Sequence, residues 1–266
     1  AQRDETARAE SWYRQAIFTA RQTRDWSSFA SAFLGQGKVH LRRGDSAAAR
    51  VAFLRALRTS RRHSLGQIAA DACHRIVEVA ILSRRASEVD RYARAALQAY
   101  RGDREGLIGL ARTLALYLVD RGFYAEGRQL FELIPEDAGK PADQLSRVSA
   151  LAQAGAALGD GDLYRRAVRT VRRLVDDPSV DGSSASWIGL LRAAAWSADG
   201  GAAEMLAPHA RAAVEALGDH EALEEIGWLA DPNAEPPDLK IRRASASLRS
   251  LVTDLERALQ QTPRRG

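Results

Sequence analysis

A turn signal set among small and apolar residues returns about every 40 residues along this chain. It falls at Gly44, Arg84, Gly122, Asp162 and Gly201, with separations of 40, 38, 40 and 39 residues. Five residues after each turn stands a residue able to pack beneath it: Ala49, Val89, Gly127, Ala167 and Leu206. A period of this length is expected when each helix pair buries its apolar face only by stacking on its neighbours. Composition agrees. Hydrophobic residues make up 45% of the chain and aromatic residues only 6%, with alanine and leucine dominating. Good helix formers therefore fill every long stretch, and Gly/Pro/Asp clusters supply the breaks. The expected fold class is all-α, a solenoid of about five antiparallel helix pairs.

The periodicity predicts a first helix over 4–24, with Trp12, Ala16, Ile17 and Ala20 on one face. It has no earlier helix to pair with, so it reads as an N-terminal half-repeat. Paired helices follow at 26–42 and 46–61, 65–83 and 86–100, 103–121 and 123–134, 141–159 and 162–176, and 183–198 and 202–217. Residues 1–218 thus form a repeat array, and residues 219–266 are divergent. There a short helix at 219–230 precedes a proline-rich break at 231–237, which cannot continue a helix. A last helix at 238–260 places Ile241, Ala244, Leu248, Leu251, Leu255 and Ala258 in one stripe. That stripe suits a capping helix, with a dimerisation strip as the alternative.

Charge is uneven. Residues 1–128 hold 23 Lys/Arg against 13 Asp/Glu, a net of +10, and the remainder holds 16 against 21, a net of −5. The asymmetry points to an acidic partner at the N-terminal half, or to head-to-tail contacts between copies. Arginine supplies almost all the basic charge, either through GC-rich codon usage or through selection for its bidentate fork. A monomer is expected. Cys73 is the only cysteine, so no intramolecular disulfide is possible, and a cytoplasmic setting is expected. The chain starts at Ala1 rather than Met, which reads as a fragment or a processed product, so export after leader removal stays open. No apolar run approaches the roughly 18–20 residues of a membrane helix.

Nothing in the sequence assembles an active site, a metal centre or a cofactor loop. His40, His63, His74, His209 and His220 share no metal-ligand spacing. Cys73 and His74 are adjacent and so leave a helix on different sides, which makes a buried thiol the expected reading. Gly35-Gln36-Gly37 is too short for a dinucleotide loop, and Asp160-Gly161-Asp162 lacks the later ligands of a calcium loop. The pairs Arg42-Arg43, Arg61-Arg62, Arg84-Arg85, Arg172-Arg173 and Arg242-Arg243 are expected mostly near helix C-termini, where they complement the dipole. No enzyme, metal or cofactor is assigned. Nucleic acid is an unlikely partner despite a pI near 9.7, because no recognition motif accompanies the charge.

Residues 30–61 carry a more specific pattern. Phe33, Gly37 and His40 stand on one helix, Gly44-Asp45 turn the chain, and Ala49, Phe53, Ala56 and Leu57 follow. This resembles a tetratricopeptide repeat, in which small residues let two helices approach and an aromatic plugs the space between pairs. Later units keep the period with fewer of these residues, such as Ala115, Leu118, Gly122, Gly127 and Phe131. The resemblance covers about residues 4–218 and implies a right-handed solenoid, with an N-terminal half-repeat and a C-terminal capping helix. It also implies a concave groove lined by the first helix of each pair. The expected peptide-binding residues are Ser31, Leu34, Lys38, Arg42, His74, Glu78, Arg112 and Leu116. Leu41, Asp71, Ile81, Val119, Ala152, Ala156, Leu191 and Ala195 complete the exposed lining. The family's lysine–asparagine carboxylate clamp is absent, since Asn233 is the only asparagine. The implied function is a non-enzymatic scaffold for an acidic protein or peptide, as in the sensor or interaction domain of a larger bacterial regulator. Two alternatives stay open: a structural subunit that contacts partners through its outer surface, and a basic nucleic-acid accessory protein.

Overall fold

A computed structural model describes residues 2–135, 141–175, 183–216, 218–231 and 233–263. Among these residues there are thirteen α-helices and no strand. They are α1 (Gln2–Gln22), α2 (Trp26–Arg42), α3 (Ser46–Arg62), α4 (Gly66–Leu82), α5 (Ala86–Ala99), α6 (Arg104–Asp120), α7 (Tyr124–Leu133), α8 (Pro141–Leu158), α9 (Gly161–Val175), α10 (Ser184–Trp196), α11 (Gly200–Glu215), α12 (His220–Leu229) and α13 (Ala246–Gln261). None of the described helices is long and apolar enough to cross a membrane. Of the expected helix ends, Asp176 and Leu217 lie outside the described residues, as does Pro232 of the proline-rich break.

One turn repeats throughout. Arg24, Gly44, Ser64, Arg84, Gly102, Gly122, Gly159, Ala198 and Gly218 all adopt positive φ. The residue after the turn donates its N–H five residues back, from Asp25 to Ala20, Asp45 to His40, Leu65 to Ser60, Arg85 to Ala80, Phe123 to Leu118, Asp160 to Gly155 and Asp199 to Ala194. This is the Schellman closure of a helix C-terminus. The same residue then opens the next helix: Asp25, Asp45, Asp103, Asp160, Asp199 and Asp219 each accept a backbone N–H three residues on. At these positions C-cap and N-cap share one junction and a helix reverses directly into the next, whereas α7 ends on the extended Ile134 and α12 leads into the non-helical stretch 233–245. The underlying unit is thus one helix of about 20 residues, half the period read from the sequence. The fourth and fifth turns lie at Gly159 and Ala198 rather than at Asp162 and Gly201, which fall inside the first turns of α9 and α11.

The chain divides into two compact units, Ala1–Leu110 with Ala246–Gly266, and Ala111–Ser245. In the first unit, α1 to α5 pack in chain order in a solenoid-like manner, and α2 also touches α4. Phe53 is fully buried, and a Cβ added at Gly37 would lie 2.3 Å from its ring. The expected close approach of α2 and α3 around this aromatic is therefore present. The face of α1 is corrected. Tyr13, which fills the space a Cβ on Gly35 would need, lies inward with Ile17 and Ala20, while Trp12 is 73% exposed.

α13 starts at Ala246, eight residues later than expected, because residues 233–245 form no helix. Ile241 is exposed, and the buried stripe is Leu251, Val252, Leu255 and Leu259. This helix packs on α5. Arg94 binds Ser247 and Asp254 at its side, and Arg104 donates to the carbonyls of Leu259 and Thr262 at its C-terminus.

In the second unit, α8 packs on α7, α9 and α10, and α10, α11 and α12 pack on one another. Leu145, Val171, Leu190, Leu191, Leu206, Val214 and Ile226 form its core. The extended stretch after α12 is tied to the helices by two bonds. Trp196 Nε1 donates to the Pro237 carbonyl at 2.8 Å, and Arg242 N donates to the Gly122 carbonyl at 2.9 Å.

Candidate binding site

The structure separates the expected groove residues. Ser31, Leu34, Lys38, Arg42, His74 and Glu78 belong to the first unit, and Arg112 and Leu116 to the second. Ser31, Lys38 and Arg42 are exposed on α2, but Leu34 and His74 are buried, so their expected exposure does not hold. Both stand on helices that pack directly against each other as well as against α3. In the second unit Leu116 is exposed, and Arg112 donates to Asp143 at 2.9 Å. Val119, Ala152 and Leu191, also expected in the lining, are buried as well.

His74 sits in a polar chain. Tyr100 Oη donates to Asp71 at 2.9 Å and lies 3.4 Å from His74 Nδ1. Burial lowers the His74 pKa to about 4, with the Arg75 charge adding to the effect, so the ring is neutral near pH 7. Glu78 approaches His74 Nε2 at 3.9 Å and would favour its charged form. Its carboxylate is already held by Arg75 at 2.7 and 2.9 Å, so desolvation prevails. Burial and the bond to Asp71 push the Tyr100 hydroxyl pKa up. A neutral imidazole shut into a helix junction locks α4 to the turn after α5. Cys73 is likewise buried, and its thiol pKa is raised.

On the opposite side of α2 lies an open cavity of about 570 Å³. At 100° per residue, Phe29 and Phe33 point away from Ser31 and Lys38, and they form its floor. α1 supplies Arg14, Ile17, Phe18 and Arg21, and α3 supplies Arg55, Arg58 and Thr59. The floor is fixed by ring packing. Trp26 meets Phe29 edge-on at 5.8 Å, and Phe29 meets Phe33 edge-on at 5.0 Å. The Arg55 guanidinium covers the Phe33 ring at 5.6 Å. Arg14 has Glu10 at 3.6 Å, but Arg21, Arg55 and Arg58 have no carboxylate within ion-pair distance among the described residues. The cavity thus joins apolar side chains to a largely unneutralised basic rim.

Sequence reading by adjacent arginine pairs missed these residues. Their signal lies in helical spacing. Arg14, Phe18 and Arg21 stand four and three apart on α1, and Arg55 and Arg58 stand three apart on α3. Neither stripe has an apolar core to explain its aromatic or basic members. A second hollow of about 520 Å³, between Gly155, Tyr164, Trp196 and Asp199, is already satisfied internally. Tyr164 donates to Asp199 at 3.1 Å, and Asp199 caps α11. Among the described residues no three His, Cys, Asp or Glu side chains gather as metal ligands. No protein-family model and no curated protein matches the chain.

Proposed function

We propose that this protein is a non-enzymatic, tetratricopeptide-like binding scaffold whose cavity between α1 and α3 takes an acidic, amphipathic segment of a partner protein. This suits an interaction domain of a larger cytoplasmic regulator. The observation that carries the reading is the combination of a four-arginine rim with an aromatic floor in one cavity. The rim offers bidentate partners for carboxylates, and the floor offers apolar surface to one aliphatic or aromatic anchor. A protein segment fits better than single-stranded nucleic acid. Phe33 is covered by Arg55 and Phe29 is engaged edge-on by Trp26 and Phe33, so Phe18, 64% exposed, is the one open ring of the cavity, enough to meet a single anchor but no platform for successive bases. The walls belong to the second helices of successive pairs. The reading therefore places contact on the side away from the groove expected on α2, close to the outer-surface alternative.

Fluorescence anisotropy with synthetic peptides tests this. One peptide presents a Trp between glutamates, and its counterpart carries lysines instead. The acidic peptide is expected to bind, and each Arg→Ala at 21, 55 or 58 to weaken it by roughly two- to fivefold, as for partly exposed ion pairs. Equal binding of both peptides, or unchanged affinity in Arg55→Glu/Arg58→Glu, overturns the reading. Loss of binding in Arg42→Glu with the cavity variants unaffected would move the site to the opposite side of α2.

A further inference from the structure

We infer that a second copy of this chain is an occupant of the cavity, docking through the exposed stripe of its α12. This rests on the cavity reading proposed above and names the partner. Counted by structural unit, the first unit holds 24 Lys/Arg against 13 Asp/Glu, a net of +11, and the second holds 15 against 21, a net of −6. The acidic excess has a local concentration. Residues 219–231 contain Asp219, Glu221, Glu224, Glu225 and Asp231 and no lysine or arginine. Glu225 is engaged by Arg192 at 2.7 Å, and the other side of the helix is buried through Ile226 and Leu229. What remains outward on the helix is His220, Glu221, Glu224, Gly227 and Trp228, with Asp231 just beyond its end on the same face.

Trp228 is 43% exposed, an indole with Glu224 one turn before it and, one turn after it, Asp231, whose Oδ1 accepts from Asn233. No atom lies within 4 Å of a Cβ position at Gly227, so a partner surface can approach the helix backbone beside the indole. Glu221 and Glu224 have no cationic partner among the described residues. Each feature has its complement in the cavity. The apolar floor of Phe29 and Phe33 receives an anchor, and Arg14, Arg21, Arg55 and Arg58 face carboxylates on either side of it. From Glu221 to Trp228 the helix rises about 10 Å, a span suited to two walls flanking one floor. Tryptophan and arginine are the side chains most often dominant at interface centres, and a guanidinium over an indole adds cation–π attraction.

Because stripe and cavity are different surfaces, the contact is heterologous. A dimer therefore keeps one free stripe and one free cavity, on different copies, and association does not stop at two. Sedimentation velocity on the full chain, over a concentration series at low and high salt, reads this directly. The weight-average mass is expected to rise with concentration and to fall with salt. Trp228→Ala and Glu221→Arg/Glu224→Arg are expected to weaken association at least about tenfold, as is Arg55→Glu/Arg58→Glu. All these positions are exposed, and helical circular dichroism confirms that each variant folds. Mixing the stripe variant with the cavity variant is decisive. Each alone stays monomeric, and the mixture forms a heterodimer and nothing larger, because only one intact stripe and one intact cavity remain.

A wild-type chain that is monomeric at every concentration overturns the inference, as do variants that assemble like wild type or a mixture that forms no heterodimer. A monomeric chain that still binds the acidic peptide leaves the cavity reading standing and rejects only the second copy as its occupant. A chain that binds neither rejects both.

Discussion

The two units are built with the same local device and differ in what they do with charge. Both reverse helices through a left-handed residue followed by a capping residue, as at Gly44-Asp45 in the first and Gly159-Asp160 in the second. In the second unit, arginines bridge helices two apart in the chain: Arg112 of α6 meets Asp143 of α8, Arg128 of α7 meets Asp160 at the start of α9, and Arg192 of α10 meets Glu225 of α12, each at under 3 Å. In the first unit some arginines are paired the same way, as in Arg50 with Glu88. Arg21, Arg55 and Arg58 on the facing sides of α1 and α3 are not, and Arg55 stands over the Phe33 ring. The turns therefore set the architecture of both units, while a failure of pairing across α1 and α3 creates the candidate site.

The largest expected effect tests whether the units are energetically distinct. Phe53 is the fully buried plug of the first unit and Phe131 its counterpart in the second. Truncating either to alanine is expected to cost about 3–5 kcal/mol. Fluorine NMR of fluorotryptophan-labelled protein separates the responses, since Trp26 reports on the first unit and Trp187 and Trp196 on the second. Phe53→Ala is expected to lower the denaturant midpoint seen at Trp26 more than that seen at Trp187. An equal shift at all three would erase the distinction.

Next in size is a pH effect confined to the first unit. His74 has a folded pKa of about 4 against an ordinary value of 6.5. The unfolded chain therefore binds a proton first as the pH falls. Stability is lost progressively from about pH 6.5 to pH 4 and is constant in this respect below that, by roughly 3 kcal/mol in all. The carboxylates held low, Asp25, Glu88 and Asp160, lose their contributions at lower pH. Urea titrations of wild type and His74→Gln across the window check this. A wild-type midpoint that is flat from pH 6.5 to 4 would break the assignment of a buried neutral ring.

The difference between the units also marks how far the sequence could be read. Helix class and most boundaries were legible because apolar period and turn residues agree, and Phe53 against Gly37 was visible as a large residue opposite a small one. The fourth and fifth turns were misplaced because the left-handed positions there are Gly159 and Ala198, and an alanine carries no turn signal. The start of α13 was missed because Ile241 continues the apolar spacing of the helix although the backbone before Ala246 is extended. Leu34 and His74 were expected outside because helical spacing gives a face, not what covers it. The arginine cavity joins residues from three helices, so only packing brings Arg21 and Arg58 to one place.

The smaller effects concern the shared junction. Asp45 accepts the Ala48 N–H at 2.9 Å, whereas Leu65, Arg85 and Phe123 open their helices with no side-chain cap. Asp45→Ala is expected to cost about 1 kcal/mol, measured as a shift in urea midpoint.

The smallest effect is a gain. Ala198 holds φ at +50° in an exposed turn where five of the other eight residues in this role are glycine. An L-residue with a Cβ pays roughly 1 kcal/mol or more for the left-handed region, which glycine avoids. Glycine in turn has more freedom to lose on folding, which offsets part of that gain. Ala198→Gly is therefore expected to stabilise the second unit by roughly 0.5 kcal/mol, seen as a higher midpoint at Trp187 with no change at Trp26. The reverse substitution, Gly44→Ala in the first unit, carries the opposite sign. No atom lies within 4 Å of its added Cβ, so backbone strain alone is measured. If both substitutions shift stability in the same direction, the common turn is not held in the left-handed conformation in both units, and the likeness between them fails at its root.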